Sequence, residues 1–316
     1  MATAKMPKFQ EKISTVILAA GVGKRMKSET PKILHRILGK PVISFVIDLA
    51  RDVGSSQIIM VVNGRTNELG SLGEDICYAI QEKPLGSGDA AKKGLEKAVH
   101  ENVLVLCGDV PLIQKQTILG MIEYHKRKKA VLTVLTCKMS NPHGYGRIMH
   151  RRYGFMTRIV EQSDATTRQL KIKEINAGVY YGNKDMLLSA LHRTTADNKQ
   201  GEYYLTQAVH DIAAAGKRVA GYMIKDEEEI IGVNTKIQLA DVRAIVKRRW
   251  FEHLMQRGVL IEDPATTDID LSVRIGERVH IRPHTMIEGD TIIEDGKSVG
   301  PFVWINNGRR VFGANA

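Results

Sequence analysis

The first 230 residues alternate short apolar runs with amphipathic runs. Runs of β-branched and apolar residues predict strands over 13–20, 57–62, 103–106 and 131–136. Apolar residues at helical spacing predict helices over 41–53, 88–99 and 114–127. This alternation predicts an α/β fold with a doubly wound, mostly parallel sheet and helices on both faces. A sheet of this kind binds ligands beyond the carboxyl ends of its strands.

The pattern changes after residue 234. From 235 to 257, apolar residues recur every three or four positions without an intervening glycine or proline, at Leu239, Val242, Val246, Trp250 and Leu254. This spacing predicts one long helix that ends at Gly258.

The tail has a third period, because its aliphatic residues recur every six positions. They are Ile269, Ile275, Ile281, Ile287, Ile293, Val299, Ile305 and Val311. A period of six suits neither a regular helix nor a flat strand and is typical of a β-helix of hexapeptide repeats. The three patterns predict an α/β domain over 1–234, a helical arm over 235–262 and a short β-helix over 263–316.

Composition narrows the class of protein. The 316 residues are 43% hydrophobic and 26% charged, which excludes collagen-like, disordered and disulfide-scaffold chains. No apolar run approaches membrane-spanning length, and the first dozen residues lack the apolar stretch of a secretory signal. Three separated cysteines, Cys77, Cys107 and Cys137, predict free thiols in a reducing compartment. The prediction is a soluble cytoplasmic protein.

The net charge of +11 is unevenly distributed. Residues 263–316 carry six basic and eight acidic side chains, whereas the first 262 residues carry 40 and 27. A basic body suits a polyanionic partner. Nucleic acid and nucleotide phosphates both meet that description, so charge alone does not choose between them.

A glycine-rich turn follows the first predicted strand. Its sequence, LAAGVGKRM over residues 18–26, precedes Pro31 and Lys32. Gly21 and Gly23 lack Cβ, so backbone N–H groups can approach a phosphate closely, and Arg25 and Lys32 can neutralise its oxygens. The turn is neither the dinucleotide fingerprint GxGxxG nor the Walker sequence. It predicts a phosphate-binding turn of another kind.

The arrangement LAAGxGxRM followed by PK resembles the sugar-nucleotidyltransferase superfamily. Further motifs follow in order: Gln81 with PLGSGDA at 84–90, CGDVPL at 107–112, GYGR at 144–147, EINAG at 174–178, GEYYLT at 201–206 and GVN at 232–234. Together with the hexapeptide tail, they resemble the bacterial bifunctional UDP-N-acetylglucosamine pyrophosphorylase/glucosamine-1-phosphate acetyltransferase family. The resemblance implies a Rossmann-like domain followed by an arm and a truncated left-handed β-helix.

The resemblance also implies roles for residues at matching positions. Arg25 and Lys32 would be the catalytic cations, and Asp109 and Asn234 would hold Mg²⁺. The UTP-binding residues would be Leu18, Ala19, Ala20, Gly21, Gln81, Gly86 and Ser87. Gly146, Glu161 and Asn176 would contact the sugar. Of Tyr203 and Tyr204, one is expected in the core and the other lining the site.

The implied reaction joins UTP and N-acetylglucosamine 1-phosphate to give UDP-N-acetylglucosamine, a cell-wall precursor, and pyrophosphate. Because the repeats span less than three coils, we expect no acetyltransferase activity. The expected partners are these small molecules, without nucleic acid or membrane, and a homotrimer through the arm and β-helix fits the short repeat. Rival hypotheses are another hexose 1-phosphate as substrate, a non-catalytic regulatory homologue and a nucleic-acid binder.

Overall fold

The structure, a computed structural model, describes residues 11–64, 72–151 and 154–312. The side chains of residues 310–312 lie outside this description, and so does the predicted inward position of Val311. The chain divides into two compact units. Unit 1 comprises Met1–Lys24 and Ile43–Gly232, and unit 2 comprises Arg25–Val42 and Val233–Ala316. The predicted domain boundaries at residues 234 and 262 stay predictions.

The elements follow in chain order. The strands are β1 Ile13–Leu18, β2 Arg36–Ile37, β3 Lys40–Pro41, β4 Gln57–Val62, β5 Ile76–Ile80, β6 Asn102–Cys107, β7 Leu132–Lys138, β8 Arg147–His150, β9 Met156–Val160, β10 Glu174–Asn183, β11 Val219–Ile224, β12 Leu260–Ile261, β13 Asp268–Ile269, β14 Arg274–Ile275, β15 His280–Ile281, β16 Thr285–Glu288, β17 Ile292–Ile293, β18 Ser298–Val299, β19 Val303–Asn306 and β20 Arg309–Phe312. The helices are α1 Val42–Asp52, α2 Ser87–Leu95, α3 Lys115–Lys128, α4 Thr167–Leu170, α5 Lys184–Arg193, α6 Leu205–Ala214 and α7 Lys236–Gln256.

Unit 1 is built on one mixed sheet with the order β11-β7-β10-β6-β1-β4-β5. β1 runs parallel to β4 and β6, β4 runs parallel to β5, and β11 runs parallel to β7. The predicted mostly parallel sheet is therefore present. The alternation did not reveal β10, which is antiparallel to both β6 and β7, or the antiparallel pair β8 and β9.

Helices cover both faces of this sheet. On one face, α2, α5 and α6 bury their apolar sides against a core that includes Val16, Val105 and Tyr180. On the other face, α3 places the ring of His125 against Tyr181, with ring centroids 4.9 Å apart. Tyr180 and Tyr181 are neighbours on β10 and point to opposite faces, as alternation along a strand requires.

Unit 2 contains α7 and a series of short strands. α7 occupies the segment where one long helix was predicted, and the Thr235 hydroxyl accepts a hydrogen bond from the Gln238 backbone N–H at 3.2 Å as its N-cap. From β13 to β19 the short parallel strands pair at an offset of 18 residues, for example Ile269 with Ile287 and Ile275 with Ile293, whereas β12 pairs with β15 at an offset of 20. These four isoleucines of the six-residue period are buried.

The contact between α2 and β1 generates a stability prediction. A Cβ on Gly94 of α2 would lie 2.3 Å from Cγ1 of Val16 and 2.9 Å from Cγ2 of Val61, and both valines are fully buried. Helix propensity alone would make Gly94→Ala stabilising by about 1 kcal/mol. Overpacking a filled core costs about 1–3 kcal/mol, so we expect a net loss of stability in chemical denaturation.

The matched control is Gly64→Ala, because no atom of the described residues lies within 4 Å of a Cβ at that loop position. We expect this control to unfold within about 0.5 kcal/mol of the parent chain. If Gly94→Ala proves more stable than the parent chain, α2 does not press on β1 as closely as described.

Candidate active site

The carboxyl ends of β1 and β6 bring two predicted motifs together. Leu18 is paired with Cys107 in the parallel register, and the backbone N–H of Gly108 donates to the carbonyl of Leu18 at 2.9 Å. A Cβ on Gly108 would lie 3.0 Å from that carbonyl oxygen, so the two chain segments are in close contact. The glycine-rich turn and the half-buried Asp109 therefore leave the sheet at adjacent strand ends.

The start of the glycine-rich turn is held by backbone groups. The N–H of Ala19 donates to the carbonyl of Val61 at 2.8 Å, and the carbonyl of Ala20 accepts from Nδ2 of Asn63 at 3.3 Å. Gly21 is exposed, and within the described part of the chain nothing lies within 4 Å of a Cβ built there. Packing against these described residues therefore does not require glycine at this position.

Gln81 is almost fully buried, with 5% of its surface exposed, and its side-chain amide is oriented by the protein. Nε2 donates to the carbonyl of Gly86 at 3.1 Å and to Oδ2 of Asp89 at 2.9 Å. Both partners are acceptors only, so the amide nitrogen faces them. Oε1 is then the atom of this amide left to accept a hydrogen bond from a ligand.

Gly86 and Ser87 contact the GEYYLT segment. Gly86 has φ of +112°, and a Cβ there would lie 2.6 Å from the carbonyl oxygen of Tyr203. Both the conformation and this contact require glycine. Oγ of Ser87 accepts from the backbone N–H of Leu205 at 3.1 Å, at the start of α6. These contacts fix the Gln81–Ser87 loop, whereas base contact by Gly86 and Ser87 stays a prediction.

The three predicted sugar residues lie close together in unit 1. The backbone N–H of Asn176 donates to the carbonyl of Gly146 at 2.9 Å. A Cβ on Gly146 would lie 2.7 Å from Cγ2 of Ile159 and 3.4 Å from Oε2 of Glu161. Glycine at position 146 therefore lets the chain pack closely against Ile159, beside the carboxylate of Glu161.

The carboxylate of Glu161 is held in a partly desolvated position. Burial raises its pKa, while the Thr206 hydroxyl, which donates to Oε1 at 2.8 Å, works in the opposite direction. The nearby charges of Asp164 and Glu202 add a smaller upward contribution to this pKa. A carboxylate in such surroundings gains from further hydrogen-bond donors, which the hydroxyl groups of a sugar supply.

The GEYYLT tyrosines differ in exposure. Tyr204 is 9% exposed and its hydroxyl donates to Oε1 of Gln200 at 3.1 Å, whereas Tyr203 is 37% exposed. Tyr204 is therefore the core residue of the expected pair.

The predicted residues of unit 2 form one polar cluster at the start of α7. Oδ1 of Asn234 accepts from Nη2 of Arg25 at 3.2 Å and from Nζ of Lys32 at 3.0 Å. Oε1 of Gln238 accepts from the backbone N–H of Asn234 at 2.9 Å, which anchors the cluster to the helix. Arg25 and Lys32, far apart in sequence from Asn234, are thus brought together with it.

The predicted metal ligands Asp109 and Asn234 belong to different units. A carboxylate and an amide oxygen are hard oxygen donors, which suit Mg²⁺ with phosphates and waters completing its coordination. Asn234 Oδ1 already accepts two hydrogen bonds from cations, so metal binding there would replace at least one of them. Within the described residues, no group of three or more His, Cys, Asp or Glu could hold a metal ion.

Sequence reasoning missed the residues that orient the side chains predicted to bind the base and the sugar. Asp89 holds the amide of Gln81, Thr206 holds Glu161, and Tyr180 accepts a hydrogen bond from Asn176. Asp89 and Thr206 lie inside the PLGSGDA and GEYYLT motifs, so the motifs pointed to them without giving their roles. Nothing in the sequence signals Tyr180, because a strand normally turns residues i and i+4 to the same face about 13 Å apart.

The chain is similar in sequence and in fold to known proteins. Residues 15–171 match the family described as the MobA-like NTP transferase domain. The chain is 41% identical over 293 residues to the bifunctional protein GlmU of Caldanaerobacter subterraneus subsp. tengcongensis, covering 92% of this chain and 64% of the relative. It is 42% identical over 294 residues to the bifunctional protein GlmU of Syntrophomonas wolfei, covering 92% and 65%. The chain belongs to the GlmU family.

The chain spans a little under two thirds of the length of these two GlmU relatives, 64% and 65%. Among solved structures, a UDP-glucose pyrophosphorylase complexed with UDP-glucose has a similar fold, with a TM-score of 0.62 at 19% identity. That alignment covers 75% of this chain and 99% of the other. Among the described residues, no helix is both long enough and apolar enough to cross a membrane.

Proposed function

We propose that this chain is a uridylyltransferase that joins UTP to N-acetylglucosamine 1-phosphate and releases pyrophosphate. The observation that carries the proposal is the meeting of the glycine-rich turn and Asp109 at adjacent strand ends, through the hydrogen bond from Gly108 to Leu18. Open α/β sheets bind ligands at such ends. Membership of the GlmU family supports the choice of substrates.

Three groups of residues would bind the substrates. Leu18, Ala19, Ala20 and Gly21 would lie along the nucleotide, and the loop with Gly86 and Ser87 would lie beside the base. Gln81 Oε1 would accept a hydrogen bond from N3–H of uracil, because Nε2 of that amide already donates to Gly86 and Asp89. Glu161 and Asn176 would hydrogen-bond the sugar, and Gly146, whose carbonyl accepts from the backbone N–H of Asn176, would contact it through its backbone.

In the proposed reaction, a phosphate oxygen of the sugar 1-phosphate attacks the α-phosphorus of UTP in line. A new P–O bond forms, the bond to the β-phosphate oxygen breaks, and pyrophosphate leaves with the electron pair. Such chemistry depends on positioning and charge stabilisation rather than on a protein nucleophile. Arg25 and Lys32 would supply fixed positive charge to the phosphates.

Asp109 and Asn234 would hold Mg²⁺, which supplies charge stabilisation to the phosphate oxygens when bound. Arg25 and Lys32, which donate to Asn234 Oδ1 in this structure, would then donate to phosphate oxygens instead. The exchange replaces an amide acceptor with charged acceptors, which form stronger hydrogen bonds with cations.

For unit 2 we propose that α7 is the helical arm and that β12–β19 begin a left-handed β-helix of hexapeptide repeats. The 18-residue offset between the paired strands from β13 to β19 supports this, since it equals three repeats of six. A homotrimer through the arm and tail, in which neighbouring subunits cover the β-helix, is part of the proposal. Lack of acetyltransferase activity stays a prediction.

The experiment that tests the function measures pyrophosphate release from UTP and Mg²⁺ over a panel of sugar 1-phosphates. We expect the highest kcat/KM with N-acetylglucosamine 1-phosphate. A higher kcat/KM with another hexose 1-phosphate would show that the chain is a uridylyltransferase for that sugar instead. Absence of release from every member of the panel would contradict the uridylyltransferase proposal and favour a regulatory homologue.

Asp109→Ala tests the proposed metal site. We expect a loss of kcat of about 10²-fold or more at saturating Mg²⁺, because the carboxylate orients charge that stabilises the transition state. The matched control is Asp52→Ala, at an exposed aspartate that ends α1, which should keep the parent rate. A near-parental rate for Asp109→Ala would show that the metal ligand has been assigned wrongly.

Gln81→Ala tests base recognition. Loss of the amide should raise KM for UTP and reduce discrimination against CTP by about tenfold, since one buried hydrogen bond to the base disappears. Asp89→Asn should have a smaller effect in the same direction, because the new amide no longer fixes the orientation of Gln81. Unchanged discrimination in a UTP–CTP competition assay for Gln81→Ala would place base recognition elsewhere.

A further inference from the structure

Two part-buried hydrogen bonds in unit 1 join the proposed sugar-binding residues to side chains that have no role in the proposed function. Nδ2 of Asn176 donates to the phenol oxygen of Tyr180 at 2.7 Å. The hydroxyl of Thr206 donates to Oε1 of Glu161 at 2.8 Å. Each hydrogen bond restrains a side chain, that of Asn176 or Glu161, which could otherwise rotate.

The Asn176–Tyr180 bond depends on an irregularity in β10. Asn176 is paired with Thr136 on β7 and Tyr180 with Val134, so three residues of β10 oppose one residue of β7. Gly178, in the middle of this bulge, has φ of +77°. The bulge shortens the path between positions 176 and 180, which a regular strand would hold about 13 Å apart.

Both ends of the Asn176 amide are engaged. Oδ1 accepts from the backbone N–H of Gly178 at 3.0 Å, while Nδ2 donates to Tyr180. A backbone N–H can only donate, so it selects the oxygen end of the amide. One N–H of Nδ2 and one lone pair of Oδ1 then keep fixed directions for a ligand.

Tyr180 is a rigid support for this amide. Its ring is 2% exposed and packs in the core between Val105 of β6 and Val134 of β7. Burial raises the pKa of its phenol well above the ordinary value, so the hydroxyl stays protonated at neutral pH. A phenol fixed in this way cannot move aside without disturbing the sheet.

Thr206 orients Glu161 in a similar way. Its hydroxyl donates a hydrogen bond to Oε1, and Oε2 is the oxygen that faces Gly146. Thr206 is itself 4% exposed and lies in the first turn of α6. The helix therefore fixes which carboxylate oxygen is presented beside Gly146.

We propose that Tyr180 and Thr206 are positioning residues, which orient Asn176 and Glu161 for the sugar 1-phosphate. This proposal rests on the proposed function, because it assigns Asn176 and Glu161 to the sugar. Tyr180 sets the direction of the Asn176 amide, and Thr206 sets the direction and the proton affinity of the Glu161 carboxylate. Neither residue needs to touch the substrate.

Tyr180→Phe removes only the hydroxyl that holds Asn176. We expect KM for the sugar 1-phosphate to rise about tenfold, with KM for UTP unchanged and kcat within about twofold. The matched control is Tyr181→Phe, the same change at the next residue, whose ring packs against His125 on the opposite face of the sheet. This control should leave both KM values unchanged.

A second measurement separates positioning from general destabilisation. In an Asn176→Ala background, Tyr180→Phe should have no further effect on KM for the sugar, because its only proposed target is gone. Additive effects of the two changes would overturn the proposal for Tyr180. So would an unchanged KM for the sugar in Tyr180→Phe alone, or an equal rise in both KM values.

Thr206→Val and Thr206→Ser test the carboxylate. The Thr206 hydrogen bond lowers the pKa of Glu161, so its removal should raise that pKa further. Because the ionised carboxylate accepts the sugar hydroxyl, the acidic limb of the pH profile of kcat/KM for the sugar should move to higher pH in Thr206→Val. Thr206→Ser, which keeps the hydroxyl, should restore the parent profile.

An unmoved acidic limb in Thr206→Val, or a serine variant that behaves like the valine variant, would overturn the proposal for Thr206. The parent chain is assayed first on the full panel, and the variants are compared on its best sugar. Turnover by the parent with unaltered sugar kinetics in Tyr180→Phe and Thr206→Val overturns the positioning proposal alone. Absence of any turnover by the parent overturns the proposed function and the positioning proposal together.

Discussion

The burial of β1 between two parallel neighbours is the constraint on which the rest of unit 1 depends. Five of its six residues are fully buried, including the polar Ser14 and Thr15. Both hydroxyls are hydrogen-bonded near the start of β4, Ser14 to Oε1 of Gln57 at 2.7 Å and Thr15 to the hydroxyl of Ser55 at 2.6 Å. A one-residue slip of β1 would leave both polar groups unpaired in the core, so the register that brings Leu18 beside Cys107 is strongly determined.

With that register fixed, β10 sets the opposite side of the candidate site. Both halves pair with β7, the second half also pairs with β6, and the first half also pairs with β8 at Ile175 and Arg147. The bulge between these halves is close-packed, since a Cβ on Gly178 would lie 2.8 Å from Sγ of Cys107. Cys107 ends β6 immediately before the Gly108–Asp109 turn. The same few residues therefore position both the carboxyl end of β6 and the direction of Asn176.

Much of this fold follows from local pattern, and the candidate site follows only in part. Strands β1, β4, β6 and β7 and helices α1, α2, α3 and α7 lie where hydrophobic periodicity predicts them, within a few residues at each end. The antiparallel direction of β10 depends on pairing between distant segments, which periodicity does not contain. Motifs indicated Gln81 and Asn176, and the family resemblance indicated Glu161, whereas the contacts made by Asp89, Thr206 and Tyr180 depend on tertiary structure and on an irregular strand.

The hydrogen bonds of the two units point to different roles in binding. In unit 1, Gln81, Glu161 and Asn176 each have one end of the side chain oriented by a hydrogen bond within the protein. Polar groups oriented in this way need little reorganisation on binding, and this increases their electrostatic effect on a bound molecule. In unit 2, Asn234 Oδ1 accepts from both Arg25 and Lys32, so the proposed metal ligand and the proposed phosphate-binding cations are hydrogen-bonded to one another. Under the proposed function, the residues assigned to the base and sugar would therefore be oriented before the substrates bind, whereas Arg25, Lys32 and Asn234 would have to exchange partners when the triphosphate and its metal ion bind.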